Sequence, residues 1–259
     1  MSHALYSIKK YLEFLRKSTH LPRVHTPFVY LFLTKCLYDQ QAHPAYSKLK
    51  TYRKSVITDN KLIEITDFGA GSRVFKDDLR KISELGKNAG ATYKRMRLLY
   101  RVTAYFKPRH VLELGTSVGL ATAAFGLAET GKITSVEGCE KIANVAKEKL
   151  LALKIPLLTL KNEQFSSFLD RKTEDFYDLV YFDGNHSQEA TLHYFNALLP
   201  TVTSDTVLIF DDIYWSKGMT AAWEIIKEHP QVQLSIDCFW LGFVFFRKEE
   251  KKQHFKIRL

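Results

Sequence analysis

Over the first ninety residues, apolar positions recur mostly at helical spacing. Leu5, Ile8, Leu12 and Leu15 lie three or four apart with Lys9, Lys10, Arg16 and Lys17 among them, which predicts an amphipathic helix. Thr26 and Pro27 then give an N-cap and first-turn signal for a second, strongly apolar segment, HTPFVYLFLTKCLYDQ. Residues 48–61 are basic and read as irregular. Helical patterning returns near 73–106, where YKRMRLLYRVTAYF stops before Pro108.

From residue 110 the pattern changes to short apolar runs alternating with helical stretches. HVLELGT, KITSVEG, PLLTLKN, FYDLVYFDG and DTVLIFDD read as strands, each followed by a helical segment. QVQLSID and FVFFRK, joined through CFWLG, read as a closing antiparallel hairpin. Five strand–helix alternations imply an α/β, doubly wound, mostly parallel sheet with right-handed crossovers. With the hairpin the sheet has seven strands. The division expected is a basic helical cap over 1–92 and a Rossmann-like domain over 93–259.

Composition narrows this reading little. Of 259 residues, 46% are hydrophobic and 25% charged, enough to bury a core. No apolar run approaches the ~20 residues of a membrane-spanning helix, and no secretory signal is recognisable. Cys36, Cys139 and Cys238 are widely spaced and form no C-x-x-C, so reduced thiols in a cytoplasmic protein are expected. The charge distribution says more. Residues 1–110 carry 22 Lys/Arg against 8 Asp/Glu, a surplus of 14, whereas 111–259 carry 16 against 20. A basic front part suggests attraction to an anion: a small substrate, a nucleic acid or an anionic membrane surface.

Two glycine turns compete for a cofactor, LIEITDFGAGS at 62–72 and VLELGTSVG at 111–119. Ligands of such a sheet sit beyond the carboxyl ends of its strands, and an acid ending the next strand accepts from ribose hydroxyls. VLELGTSVG meets this test, because the following strand KITSVEG ends in Glu137. No strand ending in an acid follows the earlier stretch, which reads as an ordinary turn or a lid loop. Gly115 and Gly119 are spaced G-x-x-x-G, unlike a dinucleotide fingerprint, and no G-K-[ST] marks a triphosphate site. Glu113 would repel a phosphate and could hold an ammonium. A ligand with a ribose and an amino-acid end suits these groups.

The ordered set VLELGTSVGLAT, ITSVEG, YDLVYFDGNHS and TVLIFDDIYW resembles the class I S-adenosylmethionine-dependent methyltransferases. It is most similar to the small-molecule O-methyltransferases of the catechol and caffeoyl-CoA type and their bacterial relatives. The resemblance implies a cofactor site of Glu113, Gly115, Ser117 and Gly119 around the methionine end. Glu137 and Gly138 would lie at the ribose, Asn162 and Glu163 beside the adenine, and Asp183 near the methyl donor. In the metal-dependent branch, the counterparts of Asp183, Asp211 and Asp212 hold Mg²⁺ or another divalent cation. FDDIYW departs here from the family's Asp-Asn-x-x-Trp. A lysine base of the family is replaced by His186, which could take a hydroxyl proton or belong to a helix-capping turn with Asn185 and Ser187. Tyr214 and Trp215 could wall an acceptor pocket.

The function implied is methyl transfer to a small acceptor, through oxygen, by a cytoplasmic enzyme; a homodimer is compatible with it. One rival is RNA methylation using the basic front part, against which stands the lack of any recognisable RNA-binding module. The other is a non-catalytic cofactor-binding protein whose first helix touches a membrane surface; the intact strand-end acids oppose it.

Overall fold

The computed structural model describes residues 3–18, 26–66, 79–88, 90–171 and 175–259. In chain order, the front part contains α1 (His3–Lys17), α2 (Pro27–Phe32) running into a π-helical turn at Leu33–Leu37, and α3 (Ala45–Ile57). A short antiparallel pair follows, β1 (Leu62–Glu64) and β2 (Leu79–Lys81), then α4 (Ile82–Asn88) and α5 (Tyr93–Phe106). The DFGAGS stretch at 67–72 lies outside the described residues.

The alternating region follows the apolar pattern. β3 (His110–Leu114), α6 (Leu120–Gly126), β4 (Lys132–Glu137), α7 (Glu140–Leu150), β5 (Leu158–Asn162) and α8 (Phe165–Leu169) form one half. β6 (Leu179–Phe182), α9 (Gln188–Leu198), β7 (Val207–Asp211), α10 (Lys217–Glu228), β8 (Leu234–Asp237), β9 (Leu241–Phe245) and β10 (Gln253–Lys256) form the other. The sheet order is β10-β8-β9-β7-β6-β3-β4-β5. β3 to β7 are mutually parallel, and β9 runs antiparallel to both β7 and β8. The expected seven strands are present, and β10 adds an eighth, parallel to β8.

Strand periodicity divides the core between two faces. Val111, Leu179, Tyr181, Val207 and Ile209 pack with α2, α3, α5 and α6. Leu112, Val180, Phe182, Leu208 and Phe210 pack with α9 and α10. The chain order reverses between β3 and β6, and this places the binding crevice outside their carboxyl ends.

The front part is firmly docked. Phe28 and Phe32 of α2 meet Phe243 and Phe245 of β9 edge-on. In α3, the stretch expected to be irregular, Leu49, Tyr52 and Val56 are buried. Their spacing follows one helix face, with tyrosines serving as apolar residues. On α1, Phe14 and Tyr6 are buried, whereas Leu5, Ile8 and Leu12 are each more than half exposed. No helix among the described residues is long and apolar enough to cross a membrane.

Candidate active site

The crevice is built by three strand ends, and each turns through a left-handed residue: Ser117 (φ 47°) after β3, Asn185 (φ 47°) after β6 and Asp212 (φ 52°) after β7. Such conformations are uncommon outside glycine and cluster where a scaffold is shaped for binding. Gly115, at φ 112°, is required by a close approach, because a Cβ there would lie 2.0 Å from the Asp183 carbonyl oxygen. The ends of β3 and β6 are thereby brought together.

Glu113 is fully buried on β3. Its Oε2 accepts from Thr122 Oγ1 (2.6 Å) and Ser135 Oγ (2.5 Å), and its Oε1 is buried with no hydrogen-bond partner. Burial pushes the carboxyl up to about 8, against the opposing pull of the two hydroxyls. Glu137 ties two loops together: Ser117 N–H donates to Oε2 (2.9 Å) and Cys139 N–H to Oε1 (3.0 Å).

Asn162 braces the same region, donating through Nδ2 to the carbonyls of Glu137 (2.9 Å) and Gly138 (3.2 Å). Glu163 donates its N–H to Glu137 O at 3.1 Å, and its carboxylate pairs with Arg171. Gly119 also lies close under α3 and α7: a Cβ on it would lie 2.6 Å from Tyr52 Oη and 3.0 Å from Leu150. Tyr52 then donates to Val118 O at 2.9 Å.

The period of two places Glu113, Tyr181 and Asp211 toward the sheet face that carries α5. Asp183, Asp211 and Asp212 lie close together there, and Arg95 joins them. Arg95 Nη1 donates to Asp211 Oδ2 (2.9 Å) and Nη2 to Asp212 Oδ1 (3.0 Å). Its guanidinium lies 4.8 Å from the Trp240 ring. Thr92 caps α5 through the Arg95 N–H (3.2 Å), which sets Arg95 in the first helical turn.

Tyr181 Oη is 3.1 Å from both Asp183 Oδ2 and Asp211 Oδ2. One hydroxyl proton serves one carboxylate, so this bridge favours a second proton within the trio. Burial, and next the Asp212 charge, push Asp183 up to about 7 and raise Asp211 well above the carboxylate range. Among the described residues, no group of three His, Cys, Asp or Glu is disposed to hold a metal ion. The expected cation does not fit this arrangement, because a guanidinium already lies against two of the three carboxylates.

The helix-capping turn expected over Asn185, His186 and Ser187 is present, with the Ser187 N–H donating to Asn185 O across His186. Ser187 Oγ caps α9 by accepting from Ala190 N–H (3.2 Å), and Asn185 donates to Tyr194 Oη. The half-buried imidazole of His186 lies with Nε2 3.8 Å from Asp183 Oδ1 and its ring 6.3 Å from that of Trp215. Tyr214 does not wall the site. It is buried against Phe239 and donates to Asp237 Oδ2 at 2.6 Å. Arg95, Tyr181 and Trp240 were missed in the sequence. The one signal was the second Asp of FDDIYW, an added charge that needs a partner.

This strand order, with its antiparallel member inserted beside β7, defines the class I S-adenosylmethionine-dependent methyltransferase fold. Residues 112–213 match the family model described as a methyltransferase domain. Solved structures agree with the fold. An SAH-bound methyltransferase from Podospora anserina superposes with a TM-score of 0.59 at 12% identity, covering 88% of this chain and 99% of that one. An O-methyltransferase from Bacillus cereus in complex with SAH gives 0.56 at 13% identity over 84% and 96%. The O-methyltransferase TomG from Streptomyces achromogenes, in complex with SAM, gives 0.55 at 14% over 88% and 99%. No curated protein matches the sequence. Residues 112–213 thus carry a methyltransferase domain, and the whole chain shares its fold with methyltransferases.

Proposed function

We propose that the protein transfers the methyl group of S-adenosylmethionine to an oxygen of a small anionic acceptor. The observation that carries this reading is the unmatched Oε1 of buried Glu113 beside the Glu137-braced loop. An ammonium donor satisfies the first group, and a ribose diol suits the second. SAM and SAH in the complexes of related fold support the same cofactor.

Glu113 would hold the amino-acid end of the cofactor, and Gly115 and Ser117 would line the turn beside it. Glu137 would accept from the ribose hydroxyls, with Gly138, Asn162 and Glu163 shaping the side that leads to the base. When bound, the cofactor would supply an electrophilic methyl on a sulfonium. The protein's contribution would be mostly alignment of an acceptor oxygen with that methyl. His186, whose ring lies near Asp183, would take the acceptor's proton at Nε2. Trp215 would bound the acceptor side.

Calorimetric titration with SAH tests the reading. Glu137→Ala removes a charged acceptor of two ribose hydroxyls, at roughly 1.5–3 kcal/mol per bond, and should weaken binding by at least about 100-fold. A purified wild-type chain that ignores SAH, or an equal affinity in the variant, would overturn it.

A further inference from the structure

The strand-end acids present a charge problem. Asp183, Asp211 and Asp212 carry three potential negative charges within one cluster. Asp211 is 3% exposed, and two of its neighbours are themselves acids. A mostly buried carboxylate without a countercharge is strongly disfavoured. The partner is supplied from a distant part of the chain, because Arg95 comes from the helical element preceding β3.

Its fit to the place is specific. The guanidinium forks across Asp211 and Asp212 at 2.9 and 3.0 Å, one nitrogen to each. Stacking against Trp240 at 4.8 Å fixes its plane. Asp211 is engaged further, since its Oδ1 accepts the Asp212 N–H (3.0 Å) and its Oδ2 also lies within reach of Tyr181. Mg²⁺ demands near-octahedral oxygen ligation at ~2.1 Å and would have to displace the guanidinium from the same oxygens. Guanidinium stays protonated throughout the physiological range, so this cation cannot be titrated or chelated away.

We propose that Arg95 is the built-in cation of the acceptor site, standing where a divalent metal would otherwise sit between Asp183, Asp211 and Asp212, so that the site works without a metal. The second Asp of FDDIYW then has a function: it completes the carboxylate pair that grips a planar, two-pronged cation. The consequence for the acceptor is chemical. A metal offers open coordination positions to two neighbouring oxygens. Arg95 offers N–H groups, two of its five being taken up by the aspartates, and its side chain is 23% exposed. A single oxyanion or carboxylate suits those donors, and a chelating pair of oxygens is not needed. This acceptor statement rests on the methyltransferase reading; the cation statement does not.

Titration of the full-length chain with Mn²⁺, followed by the paramagnetic resonance of the free ion, tests the proposal. Wild type should leave the free-ion signal undiminished at millimolar Mn²⁺. Arg95→Ala should remove one ion per chain from solution, and Arg95→Ala with Asp211→Asn should lose that uptake. Stoichiometric uptake by wild type that disappears in Asp211→Asn would overturn the proposal, whether or not Arg95→Ala folds. So would a folded Arg95→Ala that takes up no ion. SAH calorimetry on the same wild-type sample separates the two readings. SAH binding together with Mn²⁺ uptake defeats the built-in cation alone, and absence of SAH binding defeats the cofactor reading while the Mn²⁺ result still decides this one.

Discussion

Glu113 shows how one buried atom links folding to binding. Its carboxyl is pushed up to about 8 in the folded protein, from an ordinary value of 4.5, because burial penalises the charge. Between those two values the native state holds a proton that the unfolded chain has released. Stability therefore falls as pH rises through that window, by at most about 1.4 kcal/mol per pH unit for one proton. Asp183 shifts in the same direction, so the wild-type slope is a sum. Glu113→Gln keeps an acceptor for Thr122 and Ser135 and removes one titration. The urea midpoint of this variant should decline less steeply than that of wild type between about pH 5 and about pH 8. Parallel curves would show that Glu113 is already ionised. An ammonium placed against Oε1 favours the carboxylate, so SAH binding near neutral pH should also release a proton, readable from calorimetry in buffers of different ionisation enthalpy.

At the scale of elements, the strands that build the crevice were legible because each is a short apolar run ended by an acid or a glycine. β3, β6 and β7 are buried on both faces, and their sequences HVLEL, LVYF and VLIFD show it. The glycine turn after β3 was legible for the same reason. Elsewhere local pattern was a weaker guide. α3 was hidden because its buried face uses Tyr46 and Tyr52 among many lysines. The apolar repeat of α1 was visible, but the buried contact uses Phe14 and Tyr6 instead. Arg95 could not be assigned locally, since its partner Asp211 lies 116 residues away. β10 has only Phe255 buried in QHFK, and a charge holds it in place. Lys256 Nζ donates to Asp237 Oδ2 (2.8 Å) and to Tyr214 Oη (2.7 Å), and Asp237 is 3% exposed. Lys256→Met leaves that carboxylate without its cation and should cost about 3 kcal/mol in chemical denaturation. Adding Asp237→Asn should recover more than about 1 kcal/mol of that loss, the signature of coupled partners. Simple additivity would mean that β10 is held by backbone pairing alone.

On the scale of the whole molecule, the front part covers the sheet face from which Glu113, Tyr181 and Asp211 project, and it delivers Arg95 to them. Its surplus of 14 positive charges could equally have served a nucleic-acid surface. Several of those charges are committed inside the protein. Arg80 is 8% exposed, and Arg101 donates to the carbonyls of Cys36 (2.9 Å) and Leu37 (3.2 Å). Arg97 lies 4.4 Å from the Tyr46 ring, and Arg95 is bound to the aspartates. On the proposed reading, what is left would act as a diffuse positive field that draws a small anion without tracking a phosphate chain. The two cases differ sharply in their response to salt. A chain of 6–10 phosphate contacts loses roughly 10³–10⁵ in affinity between 50 and 200 mM salt, whereas a ligand with one or two charges changes by about tenfold or less. A fluorescent single-stranded oligoribonucleotide should therefore bind weakly, with a log–log salt slope no steeper than about −2. A slope near −4 or beyond, accompanied by transfer of labelled methyl to RNA, would move the acceptor from the small anions to the nucleic acids and leave the cofactor site as described.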